Sequence, residues 1–543
     1  MILYMKIKSI RKNLEMKEVQ EQKGITLLAL AITIIVLLIL AGITIGVLTG
    51  DNRIINNTKT AKEETEIANE KEILEKATVE AMGKNKYGNI EETELQNALN
   101  QETGDGKAEA VEVGDEFEVL FKESNRYYIV DKDGNVGEMN EYYEDKNPGD
   151  ITIGKDGEKL EGSKEQPYEI WCIEDLVKLS EMVNNGDTLS GKYVVLKTDL
   201  NFNSNFSYMN PNTTEFDVYL GGDGNISLKS QLSEDGKGFM PIGKDVYNIA
   251  FRGDFDGQNH SIKNIYINKG ANAGLFGAVY GDINTKKIAN LTVEGQVIVG
   301  KGESNPLHAG GIISWAKNVL IENCHSEVNI KGSAYGMGGI VGMCQYDKTE
   351  IKNCTNKGSI ENLKSNTGGI IGGVQTGIQV NIVNTYNDGT IKGDNSVGGF
   401  IGEIGGTVNI YNCYQLKEVT GNIRVGGIIG RINSNSNNVI LRNIYNVGSI
   451  NCNSSKGGII GTLNSDSINI NSNNVYYKKE NGLTGIYNKD DSKFNITGYG
   501  EEEWDSNDIV QKLNSGRETQ EEGIDKSEWK RWKLGENGYP IFE

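Results

Sequence analysis

Two carboxylates and a nearby histidine form the pattern in this sequence that best fits catalysis. Asp254 and Asp256 lie two positions apart, and His260 follows close behind them. Alternate residues of a β-strand face the same side, so the two acids would lie together, as glycoside hydrolysis requires. However, Gly257 directly follows Asp256, and an Asp-Gly step is typical of a tight turn. We favour the turn interpretation and assign no catalytic residue.

The sequence gives no sign of a metal or cofactor site. Its 6 cysteines include no Cys-x-x-Cys pair, and its 3 histidines include no His-Glu-x-x-His motif. We therefore expect no metal and no cofactor. The formal net charge of −20 would repel phosphate backbones, so nucleic acid is not an expected partner.

An internal repeat indicates the elements that position these residues. A Gly-Gly pair followed by two apolar residues recurs, and its second glycine falls at positions 311, 339, 369, 399, 427 and 458. Such a regular period with small changes in length is typical of stacked coils whose loops absorb insertions. The β-branched and glycine content excludes helical repeats, so we predict a parallel β-helix.

A column of asparagines runs in register with these glycines. Its members are Asn290, Asn323, Asn353, Asn384, Asn412 and Asn443, and Asn264 is the expected first member. Equal positions of a parallel sheet stack about 4.8 Å apart, where amide side chains can bond to each other. Cys324 and Cys354 each follow an asparagine, and in-register side chains have poor disulfide geometry. We expect them to be buried free thiols.

A second column, largely aromatic, lies two positions after each asparagine. Its members are Tyr266, Thr292, His325, Thr355, Tyr386, Tyr414 and Tyr445. If the residue between the two columns points inward, this column points to solvent. Tyrosine stacks on sugar rings, so Tyr266, Tyr386, Tyr414 and Tyr445 are candidate residues for binding a glycan or protein. The alternative is that tyrosine and threonine simply suit an exposed strand.

An uncharged apolar run near the N-terminus predicts a membrane helix. Residues 25–48 would span about 36 Å as a helix, which exceeds the bilayer core of about 30 Å. Basic residues precede the run and acidic ones follow it. This bias places the N-terminus in the cytoplasm and the chain after about residue 50 outside the cell. Residues 61–82 then show helical spacing and no helix breaker, so the membrane helix is expected to continue into an amphipathic one.

A small head and a linker are expected between this helix and the repeats. Residues 108–137 alternate apolar and polar positions, which predicts two or three short strands within a head over 84–140. Asp131, Asp133 and Asn135 suggest a calcium loop, but the distal Glu of an EF-hand is missing. Asp133-Gly134 is a strong hairpin signal, and the hairpin interpretation is favoured. The polar, acidic residues 141–167 predict a linker.

The start of the apolar run resembles the N-terminus of type IV prepilins and pseudopilins. Lys23-Gly24-Ile25-Thr26-Leu27-Leu28 matches the basic leader ending in Gly and the opening of the family's apolar helix. The resemblance implies a leader over 1–24, cleavage between Gly24 and Ile25 by a prepilin peptidase, methylation, and a pilin-like helix over 25–83. Family members usually carry Glu at the fifth mature position, where Ala29 stands here. The resemblance therefore extends to processing but not to the usual pilus assembly contact.

The repeats resemble the GLUG-motif family of bacterial surface proteins over about residues 168–480. The resemblance implies an N-terminal cap and first coils at 168–260, a β-helix at 261–480 and a C-terminal cap at 481–543. The expected fold is mainly β, a parallel β-helix preceded by the membrane helix and small head. The expected function is a non-enzymatic adhesin or pilin-like display subunit of the bacterial cell membrane, binding a glycan or a host or matrix protein. The alternatives are a carbohydrate-active hydrolase or lyase, and a structural pilus or spacer component.

Overall fold

The computed structural model describes most of the chain beyond the N-terminal region. The described residues are 53–84, 90–113, 116–124, 126–141, 150–154, 158–202, 238–244, 248–269, 272–299, 308–436, 438–480 and 482–543. The predicted leader and apolar run over residues 1–48 lie outside them. Among the helices in the described ranges, none combines the length and apolar character that a membrane crossing requires.

By contact, the chain divides into two compact units. One comprises Met1–Ala108 and Asp131–Met139, and the other comprises Glu109–Val130 and Asn140–Glu543. In the first unit, helix α1 (Arg53–Lys84) and helix α2 (Glu92–Thr103) pack together. Leu95, Ala98 and Leu99 of α2 are buried at helical spacing, which gives this short helix its packed face.

Four short strands occupy the predicted head region, where the sequence predicted two or three. They form a sheet in chain order and are Ala108–Val113, Glu116–Phe121, Arg126–Asp131 and Val136–Glu141. The Asp131 carboxylate accepts hydrogen bonds from the backbone N–H groups of Asp133 (3.0 Å) and Asn135 (2.8 Å). With Gly134 at a φ of 86°, these bonds fix the turn of the last hairpin.

The predicted parallel β-helix is confirmed in the second unit. The solenoid has three parallel sheets, named sheets A, B and C here, and coils from His308 onward contribute strands to all three. Strands of successive coils pair in register, apart from one shift between Val293 and Gly295. Helix α3 (Ile173–Asn184) follows the first strand of the solenoid, Tyr168–Ile170, and buries Ile173, Leu176 and Leu179. The inward side chains of all coils merge into one apolar core of mainly Ile, Val and Leu.

The strands of each sheet have the following bounds. Sheet A contains Tyr168–Ile170, Tyr193–Leu196, Leu200–Asn201, Asp254–Asp256, Ser261–Lys269, Lys286–Val299, Val319–Gly332, Thr349–Lys352, Thr355–Asn356, Ile360–Asn362, Gln379–Val383, Tyr386–Asn387, Ile391–Lys392, Thr407–Gln415, Val419–Gly421, Asn438–Asn446, Ile450–Cys452, Asn469–Lys478 and Ile496–Tyr499. Sheet B contains Phe276–Tyr280, Ile313–Lys317, Val341–Cys344, Ile371–Val374, Ile401–Ile404, Ile429–Ile432 and Ile460–Leu463. Sheet C contains His308–Gly310, Gly336–Gly338, Ser365–Gly368, Asn395–Gly398, Ile423–Gly426 and Lys456–Gly457.

The asparagine column stacks along the solenoid as predicted and forms a ladder of side-chain amides. Asn412 Nδ2 donates to Asn384 Oδ1 at 2.7 Å, and Asn443 Nδ2 donates to Asn412 Oδ1 at 2.7 Å. The register pairs Glu322 with Lys352, which places Asn323 beside Asn353. Column members have φ near 50–60°, a left-handed conformation that Asn tolerates better than most residues. Asn is therefore favoured both by its backbone conformation and by its amide.

A second amide column lies inside the solenoid and explains the repeated glycines. Asn356 Nδ2 donates to Asn387 Oδ1 (2.6 Å), and Asn387 Nδ2 donates to Gln415 Oε1 (2.8 Å). These three side chains are fully buried. The second glycine of four repeats packs against an amide of this column: Gly339 on Asn356, Gly369 on Asn387, Gly399 on Gln415 and Gly427 on Asn446. In the first and last repeats, Gly311 packs on Ser326 and Gly458 packs on Tyr477. A larger residue at these corners would collide with a buried amide.

The six cysteines are free thiols. Cys324 and Cys354 are fully buried, and the Sγ of Cys354 lies 3.1 Å from the carbonyl oxygen of Lys352. Burial raises the pKa of the Cys324 thiol well above its usual value. They serve as small apolar fillers of the core, as expected.

A buried histidine in sheet C predicts acid sensitivity. His308 packs on the Trp315 ring at 4.7 Å, and neither of its ring nitrogens has a hydrogen-bond partner among the described residues. Burial lowers the pKa of His308 from 6.5 to about 3. In the unfolded chain this histidine is protonated below about pH 6.5, whereas in the folded state it stays neutral. The free energy of unfolding therefore falls as pH decreases below that value. We expect a loss of about 2 kcal/mol between pH 7 and pH 5, measured by urea denaturation.

The matched variant is His308→Gln, which cannot titrate. Its unfolding free energy should change less with pH than that of the unmodified protein, whatever its absolute stability. Equal pH dependence in the two proteins would contradict the assignment to His308.

Candidate functional site

The paired acids Asp254 and Asp256 form part of the solenoid's structure. Asp254 Oδ1 accepts from the backbone N–H of Lys287 at 2.7 Å. Asp256 Oδ1 accepts from the N–H of Gln258 and from Asn290 Nδ2, both at 2.9 Å. Asp256 is thus the first rung of the asparagine ladder and also holds a turn. His260 lies against Asp199 at 3.3 Å.

The aromatic column exists in the predicted register from Thr292 onward. Thr292 pairs with His325, His325 with Thr355, and Thr355 with Tyr386. The prediction was wrong for Tyr266, which pairs with Gln296 instead of Thr292. A register shift between Val293 and Gly295 displaces that coil, and Asn264 accordingly bonds to Asn201 outside the main ladder. Tyr266 is buried, because residues 238–239 cover it.

Three tyrosines of the column stack ring on ring. The centroids of Tyr386 and Tyr414 are 4.6 Å apart with planes inclined by 4°, and those of Tyr414 and Tyr445 are 5.4 Å apart with planes inclined by 3°. The expected solvent-facing stripe was wrong for two of them, because Tyr414 is 3% exposed and Tyr445 is 0% exposed. Tyr386 is half-buried.

The cover over these rings comes from the end of the chain. Residues 484–499 stack on the last coil, and Gly458 N donates to Thr484 O at 2.8 Å. Helix α4 (Ser506–Glu518) and an antiparallel pair of strands (Trp532–Leu534 and Pro540–Phe542) then lie on the outer face of sheet A. Residues 506–543 are called the C-terminal cover below.

The asparagine ladder holds this cover by its backbone. Asn384 Nδ2 donates to Glu528 O at 2.7 Å, and Lys530 N donates back to Asn384 Oδ1 at 3.0 Å. Asn412 repeats the arrangement one coil further on, with its Nδ2 donating to Lys530 O at 3.0 Å. The Tyr445 hydroxyl donates to the carbonyl oxygen of Pro540. The outward amides thus bind both each other and the main chain that crosses them.

A cleft of about 350 Å³ lies where the cover meets the uncovered part of the column. The tyrosine stack ends here, because the next two coils carry Thr355 and His325 in place of tyrosine. Tyr386 and Phe542 give the cleft aromatic walls, with ring centroids 6.4 Å apart and planes inclined by 63°. The cleft therefore occupies the region where the aromatic stack gives way to smaller, polar side chains.

The remaining lining comes from both the solenoid and the cover, and it is polar apart from Tyr414, Leu416 and Ile541. His325 Nδ1 and Thr355 Oγ1 are 2.7 Å apart. Burial, followed by the charges of Lys357 and Lys530, holds the pKa of His325 below its usual value, so the ring is neutral at pH 7. Asp388 and Lys530 also line the cleft. An aromatic wall facing hydrogen-bonding groups can bind a small polar ring.

Sequence patterns indicated one half of this site. Tyr386 was a candidate, and the break in the tyrosine column at Thr355 was visible in the repeat. Lys530 and Phe542 were missed, because no periodic signal links the cover to coils that lie more than a hundred residues earlier in the chain.

Comparisons with known proteins leave the function open. No protein-family model and no curated protein matches the chain. Among solved structures, the chain is similar to a Bacteroides ovatus protein described as a "putative immunoglobulin A1 protease". The match has 19% sequence identity and a TM-score of 0.40, and it covers 74% of this chain and 99% of that chain. The likeness carries no functional argument, and the prepilin and GLUG resemblances remain predictions.

Proposed function

We propose that this protein is a membrane-anchored, surface-displayed β-helix that binds a glycan in the cleft beside Tyr386. The observation that carries the proposal is the termination of a three-ring tyrosine stack at a cleft that polar groups also line. The site volume is near the lower limit for small-molecule pockets, which suits a single sugar ring better than a long oligosaccharide.

The membrane anchor of the proposal is supported by the sequence alone. The apolar run 25–48 is long enough to span a bilayer, and the residues around Gly24 and Ile25 resemble a prepilin processing site. A bacterial cell-surface location with a pilin-like display role follows from both. The mass of the mature N-terminal peptide tests cleavage at Gly24, since an uncut N-terminus would remove the prepilin part of the proposal.

Two other functions remain as outcomes of the tests. A carbohydrate-active enzyme would lose turnover in Asp254→Asn or Asp256→Asn, yet both carboxylates already accept hydrogen bonds that stabilise the coils. A structural pilus or spacer component would co-purify with filaments and bind no glycan. The cleft favours the binding function over both.

Truncating the exposed end of the tyrosine stack should weaken binding. We expect Tyr386→Ala to reduce affinity for a bound glycan at least tenfold, or about 1.4 kcal/mol. Tyr386→Phe, which keeps the ring, should retain most of the affinity. The measurement uses the full chain in detergent on an array of bacterial and host glycans, with matrix proteins in parallel.

Tyr335 supplies the matched control, because its ring is 45% exposed and lies outside the cleft. Tyr335→Ala should bind as the unmodified protein does. The proposal fails if no glycan binds, or if Tyr386→Ala and Tyr335→Ala behave alike. Binding to a matrix protein alone would replace the glycan with a protein partner.

A further inference from the structure

The charged side chains around the cleft differ in whether an opposite charge lies nearby. Asp388 lies 3.5 Å from Lys417, and Lys357 lies 2.7 Å from Glu327, so both of these cleft-side charges have an opposite charge nearby. Lys530 differs, because no carboxylate of the described residues forms an ion pair with its ammonium group. Its Nζ lies 5.7 Å from the centroid of the Phe542 ring.

Lys530 is held in place by the amide ladder. Its backbone N–H donates to Asn384 Oδ1, and its carbonyl oxygen accepts from Asn412 Nδ2. The main chain of this residue is therefore fixed on both sides while the side chain stays accessible at the cleft. A cation on a fixed backbone can orient a charged ligand group at lower entropic cost than one on a mobile loop.

Two lysine charges act on His325 at the cleft, and the Glu327 charge opposes them. The charges of Lys357 and Lys530 both act to lower the pKa of His325, in addition to its burial. Partial burial lowers the pKa of Lys530 itself. An anion in the cleft would relieve both effects, whereas a second cation would increase them.

We propose that the cleft recognises an acidic saccharide, with the sugar ring against Tyr386 and its carboxylate paired with Lys530. The inference rests on the proposed glycan-binding function and specifies its ligand class. Neutral sugars would use the aromatic wall but leave the ammonium group without a partner. Uronic acids and sialic acids carry a ring and a carboxylate together, as this arrangement requires.

The test compares paired neutral and acidic saccharides on the full chain. We expect the acidic member of each pair to bind at least tenfold more tightly at low salt, with the difference shrinking as ionic strength rises. Lys530→Gln should abolish this preference, and Lys530→Arg should restore much of it. Lys533→Gln, three residues further along the same cover, should leave binding unchanged.

Different results would overturn the acidic ligand class and the glycan-binding function. Equal binding of neutral and acidic sugars, still dependent on Tyr386, would overturn the acidic ligand class and leave glycan binding intact. A preference for acidic sugars that survives in Lys530→Gln would overturn the role of Lys530. Binding of neither class would overturn the glycan-binding function itself.

Discussion

Replacing Gly399 with alanine should reduce the free energy of unfolding by about 3 kcal/mol or more, as overpacking of a tight core does. A Cβ at this corner would overlap the carbonyl oxygen of Gly427 and lie 2.7 Å from Oε1 of Gln415. The first is backbone of the next coil, and the second is a buried amide in a hydrogen-bonded column. Neither neighbour can move without disturbing the stacking of several coils. Urea denaturation followed by circular dichroism measures the loss.

Gly500 provides the matched control for this substitution. An added Cβ there meets nothing closer than 3.4 Å, the carboxylate of Glu503. Its φ also lies outside the left-handed region, so alanine is not strained at this position. Gly500→Ala should change stability by less than about 0.5 kcal/mol. If both alanine variants were equally stable, the amide column would not be the reason for the repeated glycines.

Repetition is the reason that the solenoid could be predicted from the sequence. Each coil meets its neighbours at equivalent positions, so one residue column reports on a whole sheet. The positions seven residues after each asparagine, such as Ile330, Ile360 and Ile391, show this repetition, since they pair in this order. The inner amide column was also present in the sequence, one position after the aromatic column, and was overlooked because buried Asn and Gln are unusual.

Exposure could not be predicted in the same way. Whether Tyr414 faces solvent depends on residues 506–543, which pack on it without any repeat pattern. The asparagine ladder hydrogen-bonds to the backbone of this cover at Glu528 and Lys530. Because the side chains of these two residues take no part in those bonds, their identity does not indicate the contact. The prediction for Tyr266 was wrong for a different reason, because a single register shift displaces its coil from the column. A periodic sequence pattern predicts neither a local register shift nor the packing of distant residues.

Trp532 attaches the cover to the solenoid through both packing and a hydrogen bond. Trp532 is 1% exposed, and its ring centroid lies 4.6 Å from that of Phe542 and 5.5 Å from that of Tyr414. Its Nε1 donates to Asn412 Oδ1 at 2.7 Å. One side chain thereby joins the cover's own sheet, the tyrosine stack and the amide ladder.

Trp532→Ala should therefore detach the cover from sheet A. We expect the free energy of unfolding of the cover to fall by about 4 kcal/mol, the usual loss when a buried aromatic residue is truncated. Hydrogen exchange should rise throughout helix α4 while sheets B and C stay protected, because their core does not depend on Trp532. Leu534, two residues further along the same strand and 45% exposed, gives the control, and Leu534→Ala should exchange as the unmodified protein does. Glycan binding should fall together with the cover, since Phe542 and Lys530 form one wall of the cleft. Unchanged exchange in α4 would show that the helix holds to sheet A independently of Trp532.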